Sequence, residues 1–186
     1  ALRELMAEGL VRRVQGSGTF VAELHQVSSQ LIIRDIQEEV LERGHLHGTR
    51  VVTVETVRAP SALAVRMGLK AGQAVFHTVL IHLENGAPIQ YEDRYVNPQA
   101  APDYLKTDFT QTTPTRHLLD HAPLTQASYS IEATRPSAQE AKLLGIRRDE
   151  ACLVMVRRTV SASHVASLAR LVYPGTRYSF KGEFQA

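Results

Sequence analysis

Two long runs rich in β-branched and aromatic residues, 74–83 and 87–96, flank the tripeptide Glu84-Asn85-Gly86. Asn-Gly between such runs is a strong local signal for a β-hairpin, because both residues tolerate the positive φ of a tight turn. A hairpin forces alternate side chains onto one face, so its register decides the chemistry of each surface. A two-residue Asn85-Gly86 turn pairs Leu83 with Pro88 and sets Glu92 opposite Val79. A three-residue turn with Gly86 in a bulge instead groups Val79, Ile81, Leu83, Ile89, Tyr91 and Tyr95 on one face. Thr78, Leu80, His82, Gln90, Glu92 and Arg94 then share the other. Apolar patterning favours the bulged turn, which also makes His77–Asp93 a cross-strand pair. The polar wall of His82, Gln90, Glu92 and Arg94 suits either the solvent face of a sheet or one side of a ligand pocket.

The neighbouring segments extend this hairpin into a sheet with helices. Apolar positions 32, 33, 36, 40 and 41 predict an amphipathic helix over 30–41 that ends near Gly44. Alternating β-branched residues predict a strand over 51–58, and Pro60-Ser61 opens a short helix that stops at Gly68. A loop from Pro102 leads into a helix beginning near Thr113-Pro114-Thr115. A strand over 125–135 precedes a helix over 137–144, with Ser137 as N-cap and Gly145 as terminator. Residues 153–160 and 165–173 form a last hairpin. Strands that arrive in neighbouring pairs predict an α+β domain, an antiparallel sheet with flanking helices.

The first residues follow a different pattern. Leu2, Leu5, Met6 and Leu10 make a helical stripe with Gly9 placed as a C-cap. A strand over 10–14, the turn Gln15-Gly16-Ser17-Gly18 and a strand over 19–22 follow. Helix, strand, glycine turn and strand match the back half of a winged helix, although an ordinary hairpin has the same pattern. No Gly-Lys-Ser/Thr follows the glycines, so a phosphate loop is excluded. No N-cap residue or initiator Met precedes the stripe, so the front half of such a domain is expected upstream. The polar stretch 24–29 reads as a linker. The expected organisation is a truncated winged-helix domain at 1–24 and a second domain at 25–186.

The phrase Leu2-Arg3-Glu4-Leu5, Glu8-Gly9-Leu10-Val11 and Gln15-Gly16-Ser17-Gly18-Thr19-Phe20-Val21 resembles the end of the winged-helix reader of GntR-family transcription regulators. The segment 88–98, then Pro102-Asp103-Tyr104-Leu105, Asp108-Phe109-Thr110 and Pro174-Gly175-Thr176-Arg177-Tyr178, is similar to the effector-binding UTRA domain of the family's HutC branch. The resemblance implies a chorismate-lyase-like fold and a ligand-responsive repressor of histidine-utilisation genes. It implies operator DNA contacts from Arg3, Gln15, Gly16, Ser17, Gly18 and Thr19, a symmetric homodimer, and urocanate as the effector that releases DNA. By position it also implies effector-binding roles for His82, Glu92, Arg158, Ser167 and Tyr173.

In sugar-phosphate members of the branch an arginine stands ten residues before the wall's glutamate, and another two residues earlier. Here those positions are His82 and Leu80. Losing both disfavours a phosphorylated ligand, because a dianion needs bidentate cationic partners. A UTRA regulator for another small carboxylate is the alternative, and a chorismate-lyase-like enzyme a more distant one.

Composition excludes other classes. With 44% hydrophobic and 22% charged residues the chain is neither disordered nor fibrous. A formal net charge of +2 does not by itself argue for nucleic acid. Cys152 is the single cysteine and reads as a buried spectator in a reducing compartment. His45 and His47 lack a second ligand cluster, and His117 and His121 lack the glutamate of a zinc protease helix, so they read as helix-surface residues. No metal, cofactor or catalytic nucleophile is expected. No signal peptide or membrane-spanning run is legible, and a cytoplasmic protein is expected.

Overall fold

The computed structural model describes residues 11–14, 18–21, 34–162 and 164–180. Strands β1 (Val11–Val14) and β2 (Gly18–Val21) pair antiparallel, with Val14 opposite Gly18. They belong to one compact unit and residues 34–180 to another. The hairpin expected there is present, whereas the linker at 24–29 lies outside the described residues.

The larger unit is a six-stranded sheet. Strands β3 (His47–Arg58), β4 (Ala74–Glu84), β5 (Ala87–Val96), β6 (Leu124–Thr134), β7 (Cys152–Ser161) and β8 (His164–Pro174) lie in the spatial order β3-β4-β5-β8-β7-β6. Every neighbouring pair is antiparallel. The helices are α1 (Ile36–Glu42), α2 (Ser61–Met67), α3 (Pro114–His121) and α4 (Ala138–Leu144), with a 3-10 turn over Tyr104–Lys106. The α+β expectation therefore holds. Ser137 caps the helix as expected and forms a capping box with Glu140, each side chain bonded to the other's backbone N–H. Strand β3 begins at His47, earlier than the alternation suggested, because residues 47–51 complete the ladder to β4.

Apolar side chains of the helices cover both faces of the sheet. Ile36 and Val40 of α1 pack on Met155, Ala169, Leu171 and Tyr173. On the same side, Leu118 of α3 joins Leu80, Val96, Tyr104 and Phe109. Leu144 of α4 covers Val79, Ile81, Val154 and Val172 on the opposite face, where Met67 of α2 meets Val75 and Leu168. Each such side chain contributes roughly 1.5–3 kcal/mol when fully buried. The polar wall thus lies under α1 and α3 and not in solvent.

The central hairpin differs from expectation in its turn but not in the faces of its polar residues. Asn85 and Gly86, at φ +49° and +82°, form a two-residue turn that pairs Glu84 with Ala87 and Leu83 with Pro88. A bulge then intervenes, so His82 faces Gln90 and Leu80 faces Glu92. The bulge adds one residue to β5 and restores the parity that a three-residue turn provides. It also moves Ile89 off the expected face: Ile89 packs with Leu171 and Tyr173 beside the wall, not with Val79 and Ile81. His77 lies opposite Tyr95, yet its Nε2 still reaches Asp93 Oδ1 diagonally at 2.9 Å.

His117 is also corrected. It is buried at 6% exposure, bonded through Nδ1 to Thr107 Oγ1 at 2.8 Å and edge-on to Tyr104. The buried side of α3 comprises Pro114, Thr115, His117 and Leu118, so only His121 of the pair lies on the helix surface.

Candidate ligand-binding site

The wall begins with β4 and β5. Thr78, His82, Gln90, Glu92 and Arg94 all have 3% exposure or less. Glu92 accepts from Arg94 Nε at Oε1 (2.5 Å) and meets His82 Nε2 at Oε2 (3.1 Å). Burial would raise the Glu92 carboxyl, but the Arg94 charge and the His82 hydrogen bond outweigh it and hold it at about 2. Glu92 is thus a carboxylate at neutral pH, and His82 Nε2 is the donor of that pair. His82 Nδ1 lies 3.1 Å from His47 Nε2, and burial, then His82, keep His47 down at about 4.

Arg94 uses its whole guanidinium. Besides Glu92, Nη1 donates to Ser167 Oγ (3.1 Å) and Nη2 to Thr115 Oγ1 (3.2 Å). Ser167 is further linked to Thr159 Oγ1 at 2.7 Å. Gln90 Nε2 donates to Tyr173 OH at 2.6 Å, and Thr78 Oγ1 lies 2.7 Å from Tyr104 OH. These bonds pin side chains from β4, β5, β7, β8 and α3 against one another, which is how buried polar groups become affordable in a low-dielectric interior.

A second arginine completes the cluster. Arg157 of β7 is 6% exposed, and its Nη2 donates to the same Thr115 hydroxyl at 2.7 Å. Its Nε is buried without a partner, as is Gln90 Oε1. Burial, with the Arg94 charge beside it, pulls the Arg157 guanidinium down to about 10, which leaves it a cation at neutral pH. A buried unpaired donor costs about 1–3 kcal/mol, and more when it is charged.

Both atoms belong to residues that line a partly enclosed cavity of about 10 Å³, room for one water-sized molecule. Glu92, Thr115, Leu171 and Tyr173 line it from the sheet and α3, and Arg34, Ile36 and Glu39 roof it from the α1 side. Helix α1 is anchored by its N-cap Asp35, whose carboxylate accepts from Gln37 N (2.9 Å), Glu38 N and the Thr113 hydroxyl. Glu38 is also paired with Arg116 at 3.0 Å.

Of the expected effector residues, His82, Glu92, Ser167 and Tyr173 meet on this face. Arg158 does not. It lies opposite Leu168 on the other face, where its Nε donates to the Arg66 carbonyl (3.4 Å) beside an open groove of about 460 Å³. Arg157 takes the inward place. The unbroken apolar run 152–156 is buried from both sides and hides which arginine faces in. The only signal was parity, since Ser167 and Tyr173 stand on the face that Arg157 shares through the register with β7. Among the expected DNA-contact residues, Arg3, Gln15, Gly16 and Ser17 lie outside the described residues, and Gly18 and Thr19 open β2. Among the described residues no cluster has the make-up of a metal site, and no helix is long and apolar enough to cross a membrane.

Comparisons with known proteins bear on the fold and the family. The model of the UTRA domain matches residues 42–179. The histidine utilization repressor of Pseudomonas putida is 46% identical over 184 residues, covering 99% of this chain and 74% of that protein. The crystal structure of the C-terminal domain of the histidine utilization repressor from Pseudomonas syringae pv. tomato superposes with a TM-score of 0.73 at 42% identity, covering 76% of this chain and all of that one. PhnF from Mycobacterium smegmatis, at 22% identity and a TM-score of 0.74, covers 100% of this chain and 82% of its own, and shares the fold. With a matching UTRA model and near-half identity along its whole length, the chain belongs to the UTRA-domain family, in its histidine utilization repressor group: it is a transcription repressor and not an enzyme.

Proposed function

We propose that this repressor acts on histidine-utilisation genes in the cytoplasm, and that urocanate is the effector that releases it from its operator. The observation that carries the reading is the partly enclosed cavity on a buried polar wall, in a chain almost half identical to histidine utilization repressors. His82, Glu92, Ser167 and Tyr173 are its effector-binding residues; Arg158, on the opposite face, is left out of the set. Glu92 accepts the imidazole N–H of urocanate, and Tyr173 gives the planar ligand a flat neighbour. Because the cavity holds only a water-sized molecule and α1 roofs it, ligand entry lifts α1 from the sheet. Residues 1–24 form the DNA-binding part, with Arg3 and Gln15 to Thr19 at the operator, and 25–186 the effector domain.

Calorimetry on this chain tests the assignment. Glu92→Gln keeps the size but removes a charge-assisted acceptor worth roughly 1.5–3 kcal/mol, so urocanate affinity falls about 10- to 150-fold. Thr78→Ser keeps the hydroxyl bonded to Tyr104 and changes affinity far less. Equal losses in the two variants, or unchanged affinity in Glu92→Gln, place the pocket elsewhere.

The repressor works as a symmetric homodimer, since a near-palindromic operator is matched by a two-fold protein. The outer strand β3, last in the strand order of the sheet, supports this by exposing Val51, Val52 and Val54. Sedimentation at micromolar concentration is expected to give twice the 20.6 kDa chain mass. A single 20.6 kDa species rejects the dimer.

A further inference from the structure

The cavity carries a charge asymmetry that the fold does not resolve. Two buried guanidinium groups, Arg94 and Arg157, converge on one hydroxyl, Thr115 Oγ1. Arg94 has the Glu92 carboxylate as counter-ion, and each of its three nitrogens is bonded. Arg157 has no carboxylate within hydrogen-bond distance among the described residues. The other buried acid nearby, Asp35, spends its oxygens on the N–H groups of Gln37 and Glu38 and on the Thr113 hydroxyl. Arg157 Nε remains an unbonded donor in a side chain more than nine-tenths buried, at the wall of the cavity. Native proteins rarely leave such a group orphaned without a reason, and a bound anion is the chemical complement of this one.

Taking the cavity as the effector site, we propose that Arg157 is its anion receptor: Arg157 Nε binds the carboxylate of a small monoanionic effector, beside Thr115. Glu92 and the unpartnered end of the Gln90 amide lie at the same cavity and take the ligand's polar ring. The charge count also sets a limit. Arg94 is already paired with Glu92 whereas Arg157 has no carboxylate partner among the described residues, so one negative charge is compensated. A phosphate dianion brings a second charge next to Glu92, where the other cations are already paired, Arg94 with Glu92 and Arg34 with Glu42. Selectivity for a flat monocarboxylate over a sugar phosphate thus follows from which charges are already paired.

The test uses this chain, calorimetry and three probes: urocanate, its uncharged amide, and glucosamine 6-phosphate. The wild type is expected to bind urocanate and to discriminate against the amide about 10- to 150-fold, the worth of one charged hydrogen bond. Arg157→Met is expected to lose urocanate affinity by a similar factor and to bind acid and amide alike. Its Tm without ligand is expected to stay level or to rise, because the substitution removes an uncompensated buried cation. Arg157→Lys, which keeps the charge but not the Nε edge, retains part of the discrimination. Unchanged affinity in Arg157→Met, with urocanate bound by the wild type, overturns the anion-receptor assignment alone. A marked fall in Tm shows Arg157 to be structural and also overturns it. Failure of the wild type to bind urocanate, or a preference for the sugar phosphate, removes the effector reading and this assignment with it.

Discussion

Arg94→Met is expected to lower the unfolding free energy by about 3–5 kcal/mol, the typical cost of stripping one partner from a buried ion pair. Arg94 is 1% exposed and Glu92 2%, so neither charge reaches water once the other is gone. The substitution also frees the Ser167 and Thr115 hydroxyls that Arg94 holds. The double variant Glu92→Gln/Arg94→Met removes both charges and is expected to recover much of the loss, because burying a neutral amide is far cheaper than burying a lone carboxylate. Urea unfolding of the four proteins of this cycle measures the coupling. If the two single losses simply add in the double variant, the pair is not the cornerstone of the wall.

A second large effect is expected in acid. Glu92 is held at about 2, below the ordinary glutamate value of 4.5. A carboxyl whose folded pKa is depressed stabilises the fold above its unfolded pKa and loses that contribution as pH falls toward the folded value. The shift corresponds to about 3 kcal/mol, fully present near pH 6 and lost progressively between pH 4.5 and 2. Glu92→Gln has no such titration, so the stability gap between it and the wild type is expected to narrow by about that amount over this window. Other depressed carboxyls, Glu84, Asp103, Asp108, Glu140 and Asp149, titrate in both proteins and cancel in the difference. Urea unfolding at pH 6, 4 and 3 checks it, and a gap that stays constant shows that Glu92 is not the titrating group.

Much of this wall was legible from alternation alone. With Leu80 buried among apolar residues on one side and Val79 and Ile81 on the other, the positions of His82, Glu92 and Arg94 followed once the parity of the hairpin was set. The turn was misread and the faces were still right, because a bulge at Ile89 and an extra turn residue have the same effect on parity. Ile89 itself was misplaced for the same reason, since residues within a bulge do not obey alternation. Arg157 was not legible, because the unbroken apolar run 152–156 carries no alternation by which to choose between the adjacent arginines that follow it, although the strand buries Arg157 and leaves Arg158 half-exposed.

Local chemistry along the chain therefore determined the elements and the grouping of their side chains. Asn85-Gly86 made the turn, Ser137 and Glu140 capped α4, and Thr113 capped α3 before Pro114. These depend on neighbours within a few residues, and so a sequence reading reaches them. Whether the wall faced water was decided elsewhere. It is enclosed because α1 and α3, distant in sequence from β4 and β5 and from each other, pack over it through Ile36, Val40 and Leu118 and are tied together by Asp35 and Thr113. Enclosure is a property of contacts between remote segments. It turns Glu92 and Arg94 from solvated surface charges into a buried pair, and leaves Arg157 with a donor that nothing within the described fold satisfies.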